Sequence, residues 1–126
     1  MKLQRVDKIL VAWIIIVFVL IALPFPKIPK VDQFDYSDKI VHMILFGIVA
    51  FLVHESLSSK GFRRFPASFL GLVAGSFYAG IAEIIQIFVP GRNCTIYDFY
   101  AGSIGSVFAL IVIFFRKTQK EIKQQI

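Results

Sequence analysis

The sequence predicts an all-α fold: a polytopic membrane bundle of four transmembrane helices, with both termini cytoplasmic. Two observations carry that expectation. Hydrophobic side chains make up 57% of the 126 residues, against roughly 45–50% apolar content in soluble domains, and mean hydropathy is +0.75. The apolar residues also gather into four long stretches separated by charged or Pro-rich connections. Four spans of roughly 20 residues each consume most of the length, so residues 1–126 read as a single membrane domain.

The first span covers about residues 9–25, and Pro24, Pro26 and Pro29 stop it by removing backbone donors. A signal peptide competes with this reading, because Lys2, Arg5 and Lys8 precede the apolar run. Against it, no small-residue cleavage pattern follows, and the run is long for such a segment. In the second span, Ile40 to Val53 alone is 14 residues, too short for about 30 Å of hydrocarbon at about 1.5 Å per residue. Extension to about residues 38–57 reaches spanning length, with Asp38 and Lys39 at one interface and His54 and Glu55 at the other. A re-entrant segment is the alternative. The third span, about 65–89, starts beside Pro66, which a first helical turn tolerates, and closes at Pro90-Gly91. The fourth, about 96–115, gives way to a basic tail from Arg116 to Lys123.

Lys and Arg in the short connections set the orientation. Lys2, Arg5 and Lys8, then Lys60, Arg63 and Arg64, then Arg116, Lys117, Lys120 and Lys123 fall on one side, which is therefore cytoplasmic. Lys27, Lys30, Lys39 and Arg92 fall on the other, where Asp32, Asp35 and Asp38 dilute the first loop. The net charge of +6 is thus an orientation signal, and nucleic acid is not an expected partner. The single cysteine, Cys94, excludes an intrachain disulfide and a CxxC site. With only two His and that one Cys, a zinc set is not expected, and no cofactor motif is present. Gly71, Gly75 and Ala79, and likewise Ala101, Gly105 and Ala109, recur at four-residue spacing and let backbones approach closely. Packing within the bundle is the plain use of these rows; homodimerisation is the alternative, and a homo-oligomer is not implied.

Polar residues inside the spans point to function. An ionisable group in lipid is costly unless it finds a partner or water, yet several lie near the same, outer, interface. His42 follows Asp38 by four residues and Lys39 by three, so a helix brings both within its reach. The plainer reading gives Asp38 a first-turn dipole role and His42 a bond to a neighbouring carbonyl. Glu83 and Gln86 are i, i+3 partners, with Glu83 roughly 9 Å below the boundary at about 1.5 Å per residue. A carboxylate there must be protonated, paired or wetted; its candidate partners are His42 and Arg92. A buried ion pair that fixes helix register is the competing account. Arg92 sits in the Pro-Gly turn, and Asp98 in the first turn of span four. Helix N-termini beside Lys39 and Arg92 attract phosphate or carboxylate, unless Asp38 and Asp98 already satisfy those dipoles.

The ordered set Asp38-Lys39-x-x-His42, then Glu83-x-x-Gln86 with Pro90-Gly91-Arg92, then Asp98 and Gly105, resembles the VanZ-like membrane family. The resemblance covers about Asp38 to Ile113. The family usually shows Asn four residues after the aspartate, where this chain has Gly102; Asn93 is a candidate substitute. The resemblance implies a small bacterial multi-pass protein of the cytoplasmic membrane and cell envelope, and the family's namesake is associated with reduced susceptibility to teicoplanin. It supplies no reaction. A phosphotransbutyrylase label attached to some members fits poorly, because nothing here resembles a coenzyme A site.

Three readings follow. In the first, an outward pocket of Asp38, Lys39, His42, Glu83, Gln86, Arg92 and Asp98 binds an amphiphile, such as a lipid headgroup or lipid-linked precursor, and so alters glycopeptide access. In the second, His42 and Glu83 are the acid–base pair of a membrane enzyme, with Arg92 holding phosphate or carboxylate. In the third, Glu83 is the protonation site of a proton-linked carrier. The absence of a nucleophile motif or metal set favours the first.

Overall fold

Apolar runs with no proline beyond the first turn become helices here, as a low-dielectric setting demands. Only a helix or a closed barrel satisfies its own backbone groups without water. The elements are α1 (Arg5–Ala22), α2 (Tyr36–Ser59), α3 (Arg64–Ile87) and α4 (Ile96–Gln125). The computed structural model describes residues 4–22, 36–89 and 96–125, with side chains from residue 39 in α2 and to residue 116 in α4. Three helices are long and apolar enough to cross a membrane: Lys39–Ser59, Arg64–Ile87 and Ile96–Arg116. The shortest of these has 21 residues and reaches about 31 Å at about 1.5 Å per residue. α2 is one unbroken helix of 24 residues. α1 is 18 residues long and begins with Arg5, Asp7 and Lys8 in its first turns.

Helix ends follow local chemistry. After α2, the main-chain N–H of Phe62 donates to the Leu57 carbonyl at 3.1 Å and that of Gly61 to Ser58 at 3.2 Å. This is the paired-bond cap of a helix C-terminus, which needs a left-handed residue; Gly61 supplies it at φ 92. The expected fourth span stops at residue 115, but α4 continues to Gln125. The reason is compositional. Arg116 to Gln125 holds no Gly or Pro and is rich in Lys, Gln and Glu, all good helix formers. The apolar boundary and the helix boundary are therefore different places.

Contacts near the helix ends make the bundle up-down-up-down. The start of α1 meets the end of α2 through Asp7 and Lys60, and the start of α3 meets α4 through Arg64 and the Phe114 carbonyl. α2 is central: it packs most extensively on α4, then on α3, while α1 lies against α2 and more lightly against α3. Phe46 is fully buried among Val17, Ile21, Leu45, Ala79 and Ala82, and its ring meets Tyr78 edge-on at 5.6 Å. Two side chains fix α1: the Trp13 indole N–H donates to the Leu45 carbonyl at 3.1 Å, and the Tyr78 hydroxyl donates to the Ile14 carbonyl at 2.8 Å.

Small residues bring the helices together. A Cβ on Gly105 would run into the main chain of Met43, and one on Gly47 would lie 2.8 Å from the Gly105 carbonyl oxygen. Helices in lipid gain little hydrophobic drive against one another, so close van der Waals approach has to hold them. The rows through Gly71, Gly75 and Ala79 on α3 and Ala101 and Gly105 on α4 are buried within the chain, while Ala109 is half-buried. The outward faces keep large apolar groups exposed, including Phe77, Ile84, Phe108 and Phe115. Such continuous apolar exposure suits hydrocarbon rather than water.

Candidate functional site

His42, Glu83 and Asp98 reach one point from three helices. α2 supplies His42 near its N-terminal end, α3 supplies Glu83 near its C-terminal end, and α4 supplies Asp98 in its first turn. The antiparallel order puts those ends at the same end of the bundle. One ligand-type atom from each lies within 4.8 Å of the others, and His42 Nδ1 stands 3.7 Å from Glu83 Oε1. Lys39, one turn before His42, places its ammonium 3.7 Å from Asp98 Oδ1. His42, Glu83 and Asp98 are 3%, 7% and 2% exposed, so electrostatic interactions among them go without the screening that bulk water provides.

Aromatic packing orients this group. The His42 ring sits 5.7 Å from that of Phe46, tilted by 44°, and Phe46 is in turn held by Tyr78. Gln86 is buried one turn beyond Glu83 on α3, which fits a face turned to the bundle. The side chain of Asp38 and the whole of Arg92 lie outside the described residues, as do Asn93 and Cys94. Of the sequence-derived set, Lys39, His42, Glu83, Gln86 and Asp98 are therefore the described members.

Gly102, where the resemblance expects Asn, has no room for one. A Cβ there would lie 2.7 Å from the Ala79 Cβ and 3.0 Å from Phe46 Cδ2. The position is part of the α3–α4 contact in this chain, so an amide would have to displace α3 or Phe46.

The other end of the bundle carries a second polar network that sequence reasoning missed. Asp7 Oδ1 accepts from Lys60 Nζ at 2.6 Å and from the Ser56 hydroxyl. Its Oδ2 accepts the Gln4 main-chain N–H at 2.9 Å, half of a capping box at the start of α1. The Lys60 hydrogen bond, with those of Ser56 and Gln4, holds the Asp7 carboxyl down at about 2. Nearby, the buried His54 pairs Nδ1 with the Ser68 hydroxyl at 3.1 Å, and Arg116 bonds Glu55. Two clefts of about 300 Å³ open at this end. One is mostly apolar, between Phe65, Leu110 and Phe114, and the other is lined by His54, Ser58 and Arg116. The available signal was Ser56 and Lys60 at i, i+4 spacing, with an acid at the entry to the first apolar run.

An imidazole and two carboxylates at one buried point can exchange a proton, bind a cation, or orient a polar group brought from outside. Comparison with known proteins found no matching family model, no matching curated protein and no matching solved structure.

Proposed function

We propose that this chain is a small VanZ-like envelope protein of the bacterial cytoplasmic membrane. All four helices cross the bilayer, α1 included, with both termini cytoplasmic and the His42–Glu83–Asp98 end outward. The orientation rests on the Lys and Arg excess at the opposite end, and crossing by α1 rests on its packing against α2 and α3. The polar cluster receives the headgroup of an amphiphile, a lipid or lipid-linked precursor, and thereby lowers susceptibility to a glycopeptide such as teicoplanin.

One observation supports this reading above others: three membrane-length helices each contribute an ionisable side chain to the same buried point. Simple packing does not require three such groups at one depth, because each is costly in lipid. Native mass spectrometry of protein released from detergent tests the reading. A lipid adduct should accompany the wild-type chain and be lost in Asp98→Asn. A bare wild-type chain, together with unchanged teicoplanin susceptibility on expression in a susceptible host, would refute it.

The separation of 3.7 Å between His42 Nδ1 and Glu83 Oε1 favours a second reading, a membrane enzyme with these two as general acid and base. Incubating the protein with the lipid that co-purifies separates the two. A new product mass, absent in His42→Ala, selects the enzyme.

A further inference from the structure

We infer that His42, Glu83 and Asp98 form a binding site for a divalent transition-metal cation of the Zn²⁺ or Mn²⁺ class. The inference goes beyond the amphiphile reading, because cation binding needs only these three side chains and no lipid.

Geometry is the first ground. Each residue offers one ligand atom, and the three atoms lie within 4.8 Å of one another. Metal–ligand bonds to N and O are about 2.0–2.2 Å, which puts neighbouring ligand atoms roughly 3–3.5 Å apart. The His42–Glu83 separation of 3.7 Å is already close to that. The other separations are at most 4.8 Å, so the ligand atoms would have to draw closer on binding. The ligands come from three helices that pack on one another, so the cation would also join α2, α3 and α4 at their outer end.

Charge is the second ground. Two carboxylates within a few ångströms at a buried site repel each other unless a proton or a cation intervenes. Lys39 is one positive group beside them, 3.7 Å from Asp98. A divalent cation compensates both carboxylates at once and takes the imidazole as a neutral ligand. The donor set also narrows the cation. Oxygen-only sites suit Mg²⁺ and Ca²⁺, whereas an imidazole beside carboxylates suits Zn²⁺ and other first-row metals. Two His and one Cys alone make no zinc set, but Glu83 and Asp98 supply carboxylate ligands beside His42. Three protein ligands leave a coordination position for water or an anionic group, as catalytic zinc sites do.

Lys39 then has a defined part: its ammonium competes with the cation for Asp98. Removing that competitor should tighten metal binding, an effect that a purely structural lysine would not have.

The experiment uses full-length, tag-free protein in detergent, stripped with a chelator and titrated separately with Zn²⁺ and Mn²⁺. Elemental mass spectrometry after dialysis should find about one equivalent per wild-type chain. Changes outside the first ligand sphere already weaken metal sites about 10–100-fold, so His42→Ala and Asp98→Asn should each weaken binding by more than about 100-fold. Lys39→Met should strengthen it. Co²⁺ added to the wild type should give visible absorption bands that a chelator abolishes, a readout that needs no variant to fold. Wild-type protein that takes up neither Zn²⁺ nor Mn²⁺ and shows no Co²⁺ bands overturns the inference. So does metal uptake that persists undiminished in a folded His42→Ala/Asp98→Asn double variant. A metal-free chain that still carries its lipid adduct refutes the cation site alone; a metal-bound chain without adduct refutes the amphiphile alone.

Discussion

Lys60 holds its ammonium 2.6 Å from Asp7 Oδ1, an ion contact between residues 53 apart in sequence. It fastens the first turn of α1 to the turn that closes α2. The Ser56 hydroxyl adds a second bond to the same oxygen. Elsewhere α1 is tied by Trp13 to Leu45 and by Tyr78 to Ile14, so this contact anchors the helix at one end and those two anchor its middle.

Acid should loosen that anchor in a defined window. The Asp7 carboxyl is held at about 2, below its ordinary 3.8, chiefly by the Lys60 hydrogen bond. A depressed carboxylate contributes its full stabilisation above the unfolded value and loses it as pH falls through the folded value. The contribution is therefore complete above about pH 4 and fades toward pH 2. Thermal unfolding in detergent across that window should show a falling midpoint in the wild type. Asp7→Asn should start lower at neutral pH and vary less with acid; identical acid profiles would contradict the assignment.

Glu83→Gln separates chemistry from architecture. If Glu83 works as part of a binding site, the amide keeps its shape and most of its hydrogen bonding, and the protein folds. Its adduct and its effect on teicoplanin susceptibility should then disappear. Were the residue only one half of a buried ion pair, its removal would cost about 3–5 kcal/mol, and neutralising the partner as well would restore both stability and phenotype. The expected result is a folded, inactive variant, read by thermal unfolding alongside the phenotype.

Gly105→Ala should be damaging although it adds one methyl group. The new Cβ would meet the Met43 main chain, which cannot rotate away as a side chain can. α2 and α4 would have to separate along the largest interface in the bundle. Overpacking of this kind costs about 1–3 kcal/mol or more. Gly61→Ala, by contrast, tests backbone strain: no atom lies near its Cβ, but its φ is 92. A Gly105→Ala variant with a wild-type midpoint would show that the helices slide freely.

Topology gives the simplest measurement. A membrane-impermeant maleimide added to intact cells should label Cys94, and a phosphatase fused after Ile126 should report an interior C-terminus. An active exterior fusion would invert the bundle and put the Asp7 network outside.

Hydropathy and proline placement make most of the helical frame readable. Pro66 and Pro90 bracket the third helix, whose ends at Arg64 and Ile87 fall within a few residues of the expected 65 and 89. The end of α4 was not readable in this way, because hydropathy marks where lipid contact ends and Arg116 to Gln125 stays helical by propensity. At the site, counting turns from the interface puts His42, Glu83 and Asp98 at one depth. Which helix lies beside which is a matter of packing, and the close Met43–Gly105 and Phe46–Gly102 approaches that decide it are not periodic signals. Asp7 was the least legible residue of all. Its partners Ser56 and Lys60 lie 49 and 53 residues away, and only the turn at Gly61 sets Lys60 over the start of α1.

The central place of α2 has a consequence for biosynthesis. Its most extensive contact is with α4, which leaves the ribosome after α1, α2 and α3. A nascent chain that has released α1, α2 and α3 already carries His42 and Glu83, but still lacks Asp98. Until α4 arrives, Met43 and Gly47 lack the helix that packs on them, and ionisable groups left exposed to lipid are costly. Arrival of α4 is thus the step that completes the four-helix packing, and chains arrested before it should be more open to proteolysis.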